Sequence, residues 1–298
     1  MDKSAQNQPL AGMLWMLLAG LAFVGVTATI KAFGTTVPAA EAAFLRYIMG
    51  IPFLLPMLWP IFRAKIDRRA LALFSLRGLA HSGGVICWFF AMTKIPLSEV
   101  TAMNYLSPVY LAMGAALLLG EPLARRRITA IVVALFGALI ILRPGFREVG
   151  IGHLSMLAAT FFMACGYLLA KFLSSTFSAT VVVGMLSLMV TVGLAPFAWW
   201  VWQTPTLVDL GWFFVTACFA TLGHLAMTKA FAAAPLAVTQ PVTFLQLIWA
   251  VVLGAAVFGE PVDFWVVFGG GLIMAAISYI TWREALATRR RKSAQEKV

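Results

Sequence analysis

The chain has 298 residues, 62% of them apolar and 11% charged, with a formal net charge of +11 and a mean hydropathy of +0.93. Soluble domains run nearer to about 45–50% apolar and about 25% charged, so disorder, a disulfide scaffold and a water-soluble enzyme are excluded. In a soluble protein such a positive surplus would point to nucleic acid; here the basic residues lie between apolar stretches and read as topology signals.

Ten apolar stretches follow in order, at residues 10–30, 39–62, 71–92, 97–119, 128–142, 151–170, 179–202, 210–228, 236–258 and 264–282. Nearly all reach the roughly 17–25 residues that a bilayer-spanning helix needs. Residues 128–142 are short, but Arg127 and Arg143 at their ends can snorkel to the interfaces. The first stretch is too long for a signal-peptide core and no clear cleavage site follows it, so it counts as span one. With ten spans and the N-terminus inside, sixteen Lys and Arg fall on the inner side. Only Lys31, Lys94, Arg143 and Arg147 fall on the outer side. That imbalance predicts a multi-pass protein of the cell (inner) membrane with both termini cytoplasmic. The basic run Arg289, Arg290, Arg291 and Lys292 is expected to rest on anionic lipid.

Cys87, Cys165 and Cys218 all fall inside spans with no CxxC pair, so no structural disulfide is expected. His81, His153 and His224 are far apart in sequence and offer no metal spacing; no metal and no cofactor is expected. The expected partners are a small-molecule solute and the lipid bilayer, with no nucleic acid, and the chain is expected as a monomer or homodimer.

The chain repeats itself. Ile95-Pro96-Leu97 opens span four and Gly120-Glu121-Pro122 closes it; Ala234-Pro235-Leu236 and Gly259-Glu260-Pro261 do the same for span nine, displaced by 139 positions. A displacement of 140 matches Gly12 with Gly152, Lys31 with Lys171, Pro56 with Pro196 and Trp59 with Trp199. The fold class is therefore an all-α integral membrane protein of ten transmembrane helices in two five-helix repeats. Its divisions are an N-terminus at 1–9, a first repeat at 10–145, a second at 146–282 and a basic tail at 283–298. Five is odd, so the second copy enters the membrane from the opposite side. Inverted repeats place a solute site near the midplane between the halves and permit alternating access.

The residues also resemble a known family. The run from Leu222 to Phe231, then Ala234 to Pro241, then Phe258-Gly259-Glu260, is similar to the second EamA-type domain of drug/metabolite transporters. Phe44-Leu45-Arg46-Tyr47, the run from Pro96 to Ala102, Leu119-Gly120-Glu121 and Leu142-Arg143-Pro144-Gly145 are similar to the first. The resemblance covers essentially the whole chain. It implies a ten-helix carrier of small organic solutes with helices one, three, four, six, eight and nine around a central cavity.

Polar side chains inside spans are costly and mark a cavity or a partner. In span four Thr101, Asn104 and Ser107 recur every three positions; their repeat mates in span nine are Gln240, Thr243 and Gln246. Each triplet covers one helix face, spread over about 120° at about 100° per residue. Pro108 removes a backbone donor and frees the carbonyl of Asn104. A solute-binding wall that includes Tyr105 is one reading; hydrogen bonding between helices four and nine across the pseudo-twofold is the other. Span three carries Arg77, His81 and Trp88. Arg77 is expected to snorkel to the headgroups, whereas His81 and, in span eight, His224 are deep enough to meet a solute or a proton, a histidine satisfied within the bundle being the other reading. Thr27 and Tyr167 occupy matching places in spans one and six, and Lys31 and Lys171 mark the ends of those helices. Arg46 lies about 12 Å into span two at about 1.5 Å per residue, with a binding role and a structural clamp both open. Glu41 and Glu99 occupy first turns, where the helix dipole stabilises them, and are carried as coupling or structural charges. Glu121 and Glu260 read as packing or gating features.

The function that fits is a secondary transporter moving a small organic metabolite by alternating access. A flat heterocycle such as riboflavin or an aromatic amino acid would suit an aromatic, slightly basic cavity, and export of drugs or toxic metabolites belongs to the same carrier class. A membrane-embedded enzyme acting on lipid-soluble substrates is the alternative. It needs a nucleophile beside a base, and His81 and Cys87, six positions apart, lie about 120° out of line on a helix. The chain is not expected to be an enzyme.

Overall fold

Prolines, caps and apolar length divide the chain into helices almost without connecting structure. The computed structural model describes residues 8–33, 36–119, 125–146, 148–234 and 236–295. Within them run α1 (Pro9–Phe33), α2 (Ala39–Met49), a 3-10 turn (Ile51–Leu54), α3 (Leu55–Arg63), α4 (Arg68–Met92), α5 (Leu97–Asn104) and α6 (Ser107–Leu119). There follow α7 (Arg125–Leu142), α8 (Ile151–Leu173), α9 (Ala179–Trp200), α10 (Leu207–Ala233), α11 (Leu236–Phe258) and α12 (Phe264–Gln295). Seven of these helices are individually long and apolar enough to cross a membrane. The apolar part of α7 is shorter, at Ile128–Leu142. Spans two and four reach membrane length only as pairs, α2 with α3 and α5 with α6, which makes ten. Glu121 and Arg147 lie outside the described residues, and α12 continues through the basic tail as far as Gln295.

The interruptions have local causes. Pro52 carries no amide and falls in the 3-10 turn between α2 and α3. In span four Pro108 breaks the ladder one turn below itself, so the amides of Tyr105 and Leu106 reach back only three residues, to Ala102 (3.3 Å) and Met103 (2.9 Å). The helix starts are capped by chemistry written in the sequence. Asp67 accepts from the amide of Ala70 at 2.7 Å, and Thr206 and Asp209 exchange bonds across the first turn of α10.

Helix packing runs mainly between the repeats. α1 packs along α10, α4 along α8 and α7 along α12. Small residues let these backbones close up. Gly12 abuts Ala234 and Gly223 abuts the Phe23 ring; in the other half Gly152 abuts Ile95 and Gly84 abuts Met163. The second set is the first displaced by 139 or 140 positions. Rising numbers in α1 meet falling numbers in α10, so the partners are antiparallel. The α7–α12 seam is reciprocal: Gly137 backs onto Gly269 and Ile273, and Gly269 onto Gly137 and Ile141. The two halves are therefore inverted copies about an axis through this seam, as the odd span count requires. Trp59, Trp199 and Trp200, all exposed, stand near helix ends where amphipathic rings anchor at a membrane interface. Below, the end of the bundle carrying both chain termini is called proximal and the opposite end distal.

Candidate solute cavity

The break in span four leaves Asn104 exposed between two buried neighbours, Met103 and Tyr105. An amide exposed at mid-span is tolerable only on a polar cavity, because lipid offers it no hydrogen bond. Beside the break, the buried Ser107 Oγ has no hydrogen-bond partner, and neither does the buried Trp88 Nε1 of α4. Two polar atoms buried without partners inside a bundle are an acceptor and a donor held ready. Tyr105 turns the other way, donating its hydroxyl to the carbonyl of Thr243 at 2.9 Å, which joins spans four and nine next to the axis. Gln246 is half-buried against Gly20 of α1. Thr101 is buried, and Thr27 spends its hydroxyl on the Phe23 carbonyl at 2.9 Å. The side chain of Gln240 lies outside the described residues. The kink thus separates the span-four triplet: Asn104 opens outward while Thr101 packs.

A second grouping joins spans two, three, six and eight. Arg46 lays its guanidinium over the Tyr47 ring, 4.2 Å from the centroid, and Arg46, Arg77 and His224 lie in the neighbourhood of His81. Arg46 also faces His224 electrostatically, and Tyr167 lies within range of Tyr47 and Arg77. His224 and Tyr167 are exposed although each sits within its span, and the His224 ring meets Phe23 edge-on at 5.2 Å. Tyr47 is the member that side-chain pattern alone passes over, although it stands next to Arg46 in the quoted motif. Arg77 is placed differently from the headgroup position expected for it. It is buried and donates to the carbonyls of Gly166 (3.2 Å) and Val182 (2.8 Å), pinning α4 to α8 and α9.

At the distal end four polar links each join one repeat to the other. Lys31 pairs with Glu260 at 2.6 Å and donates to the Ile95 carbonyl at 2.9 Å, while Glu260 also accepts from the Leu97 amide at 2.9 Å. Glu99 meets His153 at 2.7 Å, and the His153 Nδ1 accepts from the Gly150 amide, which leaves Nε2 to donate. Arg143 pairs with Asp263. Glu41 accepts from the Gln203 amide at 2.8 Å, and its other buried oxygen is unpartnered. Lys31 is thus a cross-repeat tie as well as a helix-end marker. These contacts tie the two repeats together at the distal end, and the exposed pair His224 and Thr228 lies along α10 toward the proximal end.

Comparison with known proteins agrees with this architecture. The model of the EamA-like transporter family matches residues 10–143 and again 150–282. A riboflavin transporter of Vibrio cholerae is 30% identical over 97% of this chain and 99% of its own length. A pseudopaline exporter of Pseudomonas aeruginosa is 25% identical over 89% and 94%, and an S-adenosylmethionine uptake transporter of Rickettsia prowazekii is 26% identical over 92% and 94%. A crystal structure 16% identical to the chain superposes with a TM-score of 0.57 over 97% of this chain and 99% of that one, sharing the fold. Two inverted five-helix repeats and a family match in each make this chain a multi-pass membrane member of the EamA-like transporter family.

Proposed function

We propose that the chain is a secondary carrier that moves a small organic metabolite, amino-acid-like or heterocyclic and of riboflavin-like dimensions, across the cytoplasmic membrane by alternating access. The observation that carries this is the interlocked two-fold packing of the repeats, tied together by polar links at the distal end. Rocking one repeat against the other would exchange the distal closure for a proximal one. In this reading the proximal end, with sixteen basic residues, faces the cytoplasm, and the basic tail lies on anionic lipid as a monomer or homodimer without nucleic acid. Solute lies against Trp88, Asn104, His81, His224 and Tyr167. Thr27, Thr101, Tyr105, Thr243, Gln246 and Gln240 support or complete the wall, and Glu41 and Glu99 serve the distal closure. The relatives named for riboflavin, S-adenosylmethionine and pseudopaline support a small solute, and the last supports an exporter as readily as an importer. Purified protein in sealed liposomes is expected to show saturable counterflow of its solute without ATP. Strict dependence on ATP would overturn the carrier reading.

A further inference from the structure

We propose that the cavity takes an anionic solute and that Arg46 is the residue that selects it; the inference rests on the carrier reading above. Other cations within the bundle have polar partners. Lys31 has Glu260, Arg143 has Asp263, and Arg77 has two carbonyls. Arg46 has the face of Tyr47 and, among the described residues, no hydrogen bond or ion pair.

Its described neighbours supply no counter-charge. His81 and His224 stand within electrostatic range of Arg46, and Arg77 acts on the same His81. No Asp or Glu in the sequence lies deeper in a span than a first helical turn. Glu41, five positions earlier on α2, is turned about 140° away at about 100° per residue and engages Gln203. Arg46 also lies about 12 Å from the start of its helix at about 1.5 Å per residue, too deep for a headgroup phosphate to reach straightforwardly. Arg46 is half-buried at mid-span without a counter-charge, and its planar fork matches a carboxylate or phosphate. The bound solute supplies the missing charge. Tyr47, Tyr167 and Trp88 then offer ring faces to the planar part of the same molecule.

The basic grouping of the first repeat has no counterpart in the other repeat: the mates of Arg46, Arg77 and His81 are Leu186, Thr216 and Ala220. The anion is therefore held to one side of the axis, and its net movement carries charge.

The test uses matched pairs that differ by one anionic group: riboflavin and riboflavin 5′-phosphate, uracil and orotate, indole and indole-3-acetate. Thermal stabilisation of the purified protein is measured first, then counterflow and response to an imposed potassium diffusion potential in liposomes. At least one anionic member is expected to bind about tenfold or more tighter than its neutral partner, a difference of about 1.4 kcal/mol, and its net flux is expected to follow the potential. Arg46→Gln should abolish that preference and Arg46→Lys should retain part of it, with monodisperse elution showing that both variants fold. Stabilisation by neutral members alone, or by none of the six, overturns the anion inference; so does an undiminished preference in Arg46→Gln. Saturable counterflow of a neutral member without dependence on Arg46 would leave the carrier reading standing while this inference falls.

Discussion

A guanidinium that donates to two main-chain carbonyls on two neighbouring helices is a fastener. Arg77→Met removes both bonds together with the buried charge. The variant is expected to lose about 1–3 kcal/mol of stability, the range for hydrogen bonds to charged groups set against relief of desolvation, read as a lowered unfolding midpoint in detergent. Asn104 behaves differently because its amide is exposed and makes no bond that holds the fold together. Asn104→Ala should reduce counterflow by about tenfold or more, the worth of one lost solute hydrogen bond, while the unfolding midpoint stays within the scatter of surface substitutions. A fall in the midpoint matching the fall in transport would assign Asn104 to packing. Residue roles were only partly legible in the sequence. Polar identity and depth singled out Asn104, His81 and His224, but the acceptors of Arg77 lie 89 and 105 positions away. No periodicity specifies which carbonyl a long side chain will find.

Elements were more legible than residues, since a bilayer enforces helix length and leaves little else to choose. Ten apolar runs gave ten spans within a few residues. The breaks were half-visible: Pro108 pointed to a freed carbonyl, but not to the tightened turn at Tyr105–Leu106, and Pro52 was not singled out as the site of the 3-10 turn at Ile51–Leu54. Pro108→Ala should mend the ladder, raising the unfolding midpoint slightly and lowering transport as Asn104 is drawn back into a regular helix. The glycine seam between α7 and α12 permits a sharper test. A Cβ on Gly137 would stand 2.7 Å from the Gly269 carbonyl and 2.9 Å from Ile273, and most of what it meets is backbone that cannot swing aside. Gly137→Val is expected to destabilise by about 1–3 kcal/mol, the usual cost of overpacking. An equal midpoint would mean that the seam is looser than described.

For the whole molecule, the near-constant displacement of 139 or 140 carried the inverted architecture before any contact was known, because a duplicated sequence with an odd span count has one topology open to it. The partner choice, first repeat against second, was not legible: apolar faces look alike to lipid and to one another. The distal links make the balance between end states testable. Glu260→Gln removes the charge that holds Lys31 while leaving an oxygen for the Leu97 amide. A cysteine introduced at Ser98, buried at that end, should then react several-fold faster with a membrane-impermeant maleimide applied from the distal side. Unchanged labelling would exclude the ion pair as a closure.

Because α1 finds its main neighbour in α10 and α8 finds its own in α4, neither repeat owns a finished interior. During synthesis the first five helices must leave the translocon with their glycine grooves still lined by lipid, and wait there for the other half of the message to be read. Assembly of this transporter is in that sense closer to dimerisation than to the folding of a single domain, with the linker around residue 148 serving only to guarantee the stoichiometry.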